Sequence, residues 1–186
     1  MSSIPKIIHI YENSEDMPEY AQRASILHPE WEIKVWNSFD SFEAVNCQLV
    51  NENLHDRHML ALMKIEILCY YGGVWLGDSI MLSKPLDSLL ENTDHVLLET
   101  KRQNIDPDFL AFKPNHRILW QYLWKIQPRY FGSQDEEWAF DYRFLREMAD
   151  DFIRYPLILP TGCFSDNDDV SSMTCFGQRI IREQYT

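Results

Sequence analysis

The segment Tyr71-Gly72-Gly73-Val74-Trp75-Leu76-Gly77-Asp78-Ser79 contains the pattern that decides the fold. Residues 58–71 carry apolar side chains at the spacing of a helix face, and the two glycines supply the left-handed conformation that ends such a helix. The next three residues are apolar, as in a short buried strand. Ligands of open α/β sheets bind beyond the carboxyl ends of the strands. Asp78 is therefore predicted to lie on an exposed turn at a ligand-binding edge.

Strands and helices alternate along the rest of the chain. The pattern predicts strands at 4–11, 31–36, 74–76, 80–82, 95–100, 108–113 and 157–160, and helices at 18–27, 58–71, 86–90, 115–126 and 136–152. Such alternation is typical of an α/β fold with a central mixed, mostly parallel sheet flanked by helices. No internal repeat or linker interrupts it. Residues 1–186 are therefore interpreted as a single domain.

Charge and composition exclude several classes of partner. The net charge of -12 argues against nucleic acid and anionic membrane surfaces, because both attract a basic face. The most apolar stretch, 59–76, is interrupted by Lys64, Glu66 and the glycine pair, so no membrane span is predicted. The four cysteines include no C-x-x-C pair, which favours a reducing, cytoplasmic location, although an even number leaves disulfides open.

Several segments together resemble a known family. They are IPKIIHIY at 4–11, HPEWEIKVWN at 28–37, KIEILCYYGGVWLGDSIMLSKPLD at 64–87, FLAFKPNHRIL at 109–119 and DYRFL at 141–145. In this order they are similar to the capsular-polysaccharide-synthesis and related DXD-type sugar transferases, the glycosyltransferase sugar-binding-region family. The resemblance spans most of the chain. It implies a single GT-A-like domain, the fold of nucleotide-diphospho-sugar transferases.

The resemblance also implies a reaction and a set of site residues. A hexose is expected to move from a nucleotide diphosphate sugar, with a UDP-sugar favoured, to a glycan or lipid-linked acceptor. Mn²⁺ or Mg²⁺ bound at Asp78 is expected to neutralise the diphosphate. The opening strand of the family lies beneath the nucleotide, and Asp141 is the candidate acceptor base or orienter. The predicted donor-binding residues are His9, Ile10, Tyr11, Arg57, Lys64, Trp75, Leu76, Gly77 and Ser79.

The chain departs from the family pattern at the metal site. Gly77 stands where relatives usually have Asp, and Ser79 where they often have Asp or Thr, so the carboxylate is displaced by one position. The Ser-Asp pair of the upstream helix is replaced by Leu60 and Ala61, and its Arg by Lys64. No His follows His116 to act as a third ligand. Candidate substitutes are Asp166, Asp168 and Asp169.

Each candidate residue has a structural alternative. Asp78 also suits an ordinary turn after glycine, and Asp141 suits the start of a helix. His9 also suits a hydrogen-bonded core position, Trp75 suits the core, and Lys64 suits a helix position from which its amine reaches solvent. Two functional alternatives follow: a degenerate GT-A domain that binds a nucleotide sugar or glycan without turnover, and one domain of a longer polypeptide.

Overall fold

The computed structural model describes residues 4–14, 16–39, 56–100, 104–132, 143–152, 158–159, 164–165 and 177–179. The strands are β1 Ile7–Tyr11, β2 Glu32–Trp36, β3 Gly73–Leu76, β4 Ile80–Leu82, β5 His95–Glu99, β6 Ile105–Phe112, β7 Ile158–Leu159, β8 Phe164–Ser165 and β9 Gly177–Arg179. The helices are α1 Glu19–Leu27, α2 Asp56–Tyr71, α3 Asp87–Leu90, α4 Arg117–Gly132 and α5 Arg143–Phe152.

Within these residues, the main sheet has six strands in the order β2-β1-β3-β6-β5-β7. β1 is parallel to both β2 and β3, and β5 is parallel to β7, whereas β6 is antiparallel to both of its neighbours. The predicted mixed, mostly parallel sheet is therefore confirmed. A second small sheet, β4-β9-β8, was not predicted, because β8 and β9 have only two and three residues and show no clear periodicity.

β3 is buried on both faces, as its apolar sequence predicts. Val74 and Leu76 belong to a core cluster that includes Tyr20 of α1. Trp75 belongs to the cluster on the other face, together with Leu68 of α2 and residues of α4 and α5. The alternation along β3 thus places helices on both faces of the sheet. The flanking helices confirm the predicted α/β architecture.

The glycine pair reverses the chain between α2 and β3. Gly72 and Gly73 have φ values of 65° and 98°, in the left-handed region that other residues rarely adopt. A side chain at Gly72 would also collide with Pro114 and Pro5. Because of this reversal, α2 runs back along β3, and Lys64 in the middle of the helix lies near the carboxyl end of that strand.

β6 begins earlier than the sequence pattern indicates. The predicted strand started at Asp108, whereas the structure extends it back to Ile105. Asp106 and Pro107 resemble turn residues, which is why the pattern missed them. The register against β5 shifts between Leu97 and Glu99, and such an irregularity tolerates a proline near the end of a strand. None of the described helices has the length and apolarity needed to cross a bilayer.

Candidate functional site

The turn from Gly77 to Ser79 lies at the carboxyl end of β3, as predicted. The Gly77 amide donates a hydrogen bond to the Asp108 carbonyl oxygen at 2.8 Å, and the Ile80 amide donates to the Gly77 carbonyl oxygen at 3.3 Å. Asp78 is exposed, while Ser79 is half-buried. The turn is therefore fixed by backbone bonds and presents the Asp78 carboxylate at the sheet edge where α/β proteins bind ligands.

Asp108 lies against this turn and was not among the predicted site residues. β6 is antiparallel to β3 with Leu76 opposite Phe109, so the start of β6 lies beside the end of β3. The Ser79 hydroxyl donates a hydrogen bond to Oδ2 of Asp108. Oδ1 lies 3.5 Å from Nζ of Lys64. The visible signal in the sequence was Asp106-Pro107-Asp108, two acids just before an apolar strand.

Gly77 and Asp108 share one small volume. A Cβ atom added at Gly77 would lie less than 3.0 Å from three atoms of the Asp108 side chain, including its own Cβ. Real Cβ atoms essentially never approach other atoms so closely, so a side chain at 77 would displace Asp108. The volume at position 77, where the family resemblance led us to expect an acid, is thus filled in this chain by an acid from the neighbouring strand.

Lys64 is held inside the protein beneath the turn. The residue is only 7% exposed. Its Nζ donates a hydrogen bond to the Pro107 carbonyl oxygen at 3.2 Å and lies 5.3 Å from the centroid of the Trp75 ring. Burial lowers the pKa of Lys64, and the charges of Asp108 and Asp78 act in the opposite direction. The amine is held by half-buried partners at the start of β6, so extension toward solvent does not explain this lysine.

Three predicted donor-binding residues are core residues in the structure. Ile10 and Leu76 are fully buried, and Trp75 is 1% exposed. The Trp75 side chain packs among apolar residues of α2 and α4. These positions match the structural alternative for Trp75. Their burial gives no support to the predicted donor contacts of the three side chains.

His9 is also buried, with both ring nitrogens engaged. The Trp36 indole N–H donates to Nδ1 at 3.2 Å, so the proton of the neutral ring resides on Nε2 and is donated to the Gly72 carbonyl oxygen at 2.8 Å. Burial lowers the pKa of His9 to about 4. Its ring therefore links β1, β2 and the turn before β3, which is a structural role.

Tyr11 lies at the same end of the sheet as Asp78, and Arg57 lies in the first turn of α2. Tyr11 is the last residue of β1 and stacks on Phe39, with ring centroids 5.5 Å apart. Arg57 is exposed in the first turn of α2. The structure thus brings Tyr11 to the edge that carries the turn. Asp141 and the candidates Asp166, Asp168 and Asp169 lie outside the described residues.

A second polar cluster lies at the opposite end of β6. Asp94, His95 and His116 offer ligand atoms within 4.8 Å of one another. Among the described residues, they form the one group of three such side chains that could hold a metal ion. The carboxylate of Asp94 accepts hydrogen bonds from Nδ1 of His95 at 2.7 Å and from Nζ of Lys113 at 2.9 Å. These bonds join the start of β5 to the residue after β6, and Nε2 of His116, at the start of α4, lies 3.6 Å from Oδ1 of Asp94.

Charges and burial shift the pKa values within this cluster. Burial opposes ionisation of Asp94, but the hydrogen bonds from His95 and Lys113 and the charge of His116 hold its pKa well below the usual value. Burial lowers the pKa of His116 to about 4. His116 Nδ1 accepts a hydrogen bond from the Ile118 amide at 3.3 Å, which fixes the ring at the start of α4. The cluster is thus a hydrogen-bonded junction between elements.

Two known proteins are similar to this chain, one in sequence and one in structure. No protein-family model matches the chain. A curated protein from Schizosaccharomyces pombe, inositol phosphoceramide mannosyltransferase 1, is 28% identical over 70% of this chain, and the chain spans 46% of that protein. Among solved structures, the PaToxG glycosyltransferase superposes with a TM-score of 0.63 at 12% identity, covering 82% of this chain and 71% of the other. The superposition shows that the chain has a GT-A-like fold, and the relative found by sequence is itself a glycosyltransferase.

Proposed function

We propose that this chain is a glycosyltransferase domain that transfers a hexose from a nucleotide diphosphate sugar to a glycan or lipid-linked acceptor. The observation that carries the proposal is the exposed carboxylate of Asp78 on a hydrogen-bonded turn at the carboxyl end of β3, in a GT-A-like sheet. That edge is where an α/β sheet receives a nucleotide. A UDP-sugar is the favoured donor.

A divalent ion fits the groups near this turn. Mg²⁺ and Mn²⁺ are held in such sites by one or two carboxylates together with phosphate oxygens and water. Asp78 offers an exposed carboxylate, and Gly77 leaves room beside it that is filled by the carboxylate of Asp108. When bound there, the ion supplies positive charge that stabilises the departing diphosphate. We assign Asp78 as its ligand.

The remaining groups at this edge suit the other parts of a donor. The Arg57 guanidinium, exposed in the first turn of α2, is suited to a phosphate. The stacked rings of Tyr11 and Phe39 form an aromatic surface at the end of β1 on which a base or sugar ring can pack. Asp141 remains the proposed acceptor base or orienter. Expected contacts are therefore made from β1, α2 and the turn after β3.

The name of the curated relative agrees with both halves of the proposed reaction. It describes transfer of mannose, a hexose, to inositol phosphoceramide, a lipid. The substrate panel should therefore pair UDP- and GDP-hexoses with phosphoinositol lipids and with free glycans. Mannose transfer to a lipid by this chain would support a shared acceptor class.

Donor turnover tests the proposal. We expect nucleotide release from one hexose donor in the presence of Mn²⁺, measured by coupled detection of the free nucleotide. Asp78→Ala should lower this release by about two orders of magnitude, because charge stabilisation of the leaving group is lost. The matched control is Glu30→Ala, which removes an exposed acid that is distant from Asp78 in the sequence. Equal release by the two variants would contradict the assignment of Asp78.

A second candidate function is a nucleotide-sugar or glycan-binding module without turnover. The observation that favours it is the absence of a side chain at position 77, together with the Lys64–Asp108 ion pair beside it. Titration calorimetry separates the two functions. Donor binding that is unaffected by Mn²⁺, with no nucleotide released from any donor in the panel, would favour the binding module.

A further inference from the structure

The glycine at position 77 and the aspartate at position 108 form a steric pair. Any Cβ at 77 would overlap the Asp108 side chain, and Gly77 does not have the positive φ that would otherwise explain a glycine there. The backbone of Gly77 thus permits a side chain, and the occupied volume excludes one. Glycine at 77 is therefore best explained as making room for the Asp108 carboxylate.

The Asp108 carboxylate is held from two sides. The Ser79 hydroxyl donates to Oδ2, and the Lys64 ammonium lies 3.5 Å from Oδ1. Metal-binding carboxylates are commonly oriented by such outer hydrogen bonds. The backbone of Asp108 is fixed as well, because its amide donates to Oδ1 of Asp106 at 3.0 Å. The carboxylate thus has a defined position against the turn.

Asp108 also retains access to solvent and capacity for a ligand. Its side chain is 24% exposed, whereas that of Lys64 is 9% exposed. An ionised carboxylate has about four lone-pair directions, and a hydroxyl and an ammonium leave some of them available. The charges of Asp78, Asp108 and Lys64 sum to one negative charge, which favours a divalent cation over an anion at the turn.

We propose that Asp108 supplies, from β6, the carboxylate that position 77 lacks, so that Asp78 and Asp108 together bind the divalent ion. In this arrangement Lys64 and Ser79 are positioning residues that act through Asp108. The inference rests on the proposed function, because the ion is there to meet a donor diphosphate.

Binding of Mn²⁺ provides a readout that does not depend on turnover. The free Mn²⁺ signal in electron paramagnetic resonance is titrated with the full chain, with and without UDP. We expect Asp108→Asn and Asp78→Asn each to weaken Mn²⁺ binding about tenfold or more. The matched control is Asp94→Asn, which also removes an acid bonded to a lysine and reports any ion held by the second cluster. If Asp108→Asn binds Mn²⁺ as tightly as Asp94→Asn does, the proposal is overturned.

A carboxylate exchange tests the same idea without relying on a loss. The double variant Gly77→Asp with Asp108→Gly returns an acid to position 77 and vacates the volume that it needs. We expect Mn²⁺ affinity within a few-fold of the unmodified chain, while Gly77→Ala with Asp108→Gly stays as weak as Asp108→Asn. Melting temperatures confirm that both double variants fold. If both are folded and equally weak in Mn²⁺ binding, the exchange model is wrong.

Failure of this inference is distinguishable from failure of the proposed function. Nucleotide release that needs Asp78, with Mn²⁺ binding indifferent to Asp108, would remove Asp108 from the site and leave the transferase intact. Mn²⁺ binding that needs both acids, with no release from any donor, would support the ion site and argue for the binding module. Failure of the unmodified chain to bind Mn²⁺ with UDP present would overturn the inference itself.

Discussion

The two ends of β6 carry similar groups in different surroundings. At one end Asp108 pairs with Lys64, and at the other Asp94 pairs with Lys113. The first pair lies beside Gly77 and the exposed turn after β3, whereas the second is joined to two buried histidine rings. A carboxylate beside a lysine is therefore no sign of a functional site by itself. Its place at the carboxyl ends of the parallel strands is what distinguishes the Asp108 end.

Replacing the lysine at each end of β6 should give the largest difference in stability between the two ends. Lys64→Met leaves the half-buried Asp108 charge without its buried partner, and we expect a loss of about 3 kcal/mol in the free energy of unfolding. Lys113→Met breaks a pair whose side chains are 32% and 43% exposed, and we expect about 1 kcal/mol or less. Urea unfolding measures both. Equal losses would show that burial does not distinguish the two pairs.

A methyl group at position 77 should disturb only the Asp108 end. Gly77→Ala places Cβ against the Asp108 side chain, and overpacking of this kind costs about 1–3 kcal/mol. The second substitution Asp108→Gly should recover part of that loss, because the overlapping atoms are gone. A double-mutant cycle in urea measures the coupling. Additive effects would contradict the steric pairing of the two positions.

Low pH should lower the stability of the fold through His116, at the Asp94 end of β6. Its pKa is about 4 in the folded chain and about 6.5 when unfolded, so the unfolded state binds more protons between these values. The contribution of His116 to the free energy of unfolding is therefore fully present above pH 6.5. It is lost as the pH drops toward 4, at about 1.4 kcal/mol per pH unit for one site. His9 has the same window, since its folded pKa is also about 4.

The variant His116→Gln isolates this contribution. The unfolding free energy of this variant, measured from pH 7 to 4, should fall less steeply with pH than that of the unmodified chain. The difference in slope should be about 1.4 kcal/mol per pH unit, the value for one proton. Asp94 adds a separate loss below its unfolded pKa, because its folded pKa is depressed. An unchanged slope between pH 6.5 and 4 would show that His116 is not held neutral by the fold.

The fold and the turn were predictable because their signals are local. Helix spacing, the glycine pair and three apolar residues occur within one stretch of chain, and they place Asp78 correctly at the end of β3. His9 and Trp75 show the limit of such reasoning. A buried strand predicts burial, but whether a side chain faces the core or a ligand depends on the strands beside it.

Asp108 was missed because its contacts with the turn are made by residues that are distant in sequence. β6 is inserted antiparallel between β3 and β5, and its register sets Leu76 opposite Phe109. No local pattern reports that insertion or that register. The absence of an acid at position 77 looked like a loss in the sequence, whereas the structure shows a carboxylate from another strand in the same volume.

A crystal structure of the chain with UDP and Mn²⁺ tests the account most directly, because anomalous scattering locates the ion. We predict one anomalous peak within about 2.5 Å of carboxylate oxygens of both Asp78 and Asp108, with the diphosphate on its open side. A peak at Asp94 and His116 instead, or UDP bound away from the turn after β3, would contradict the assignment of this edge as the donor site.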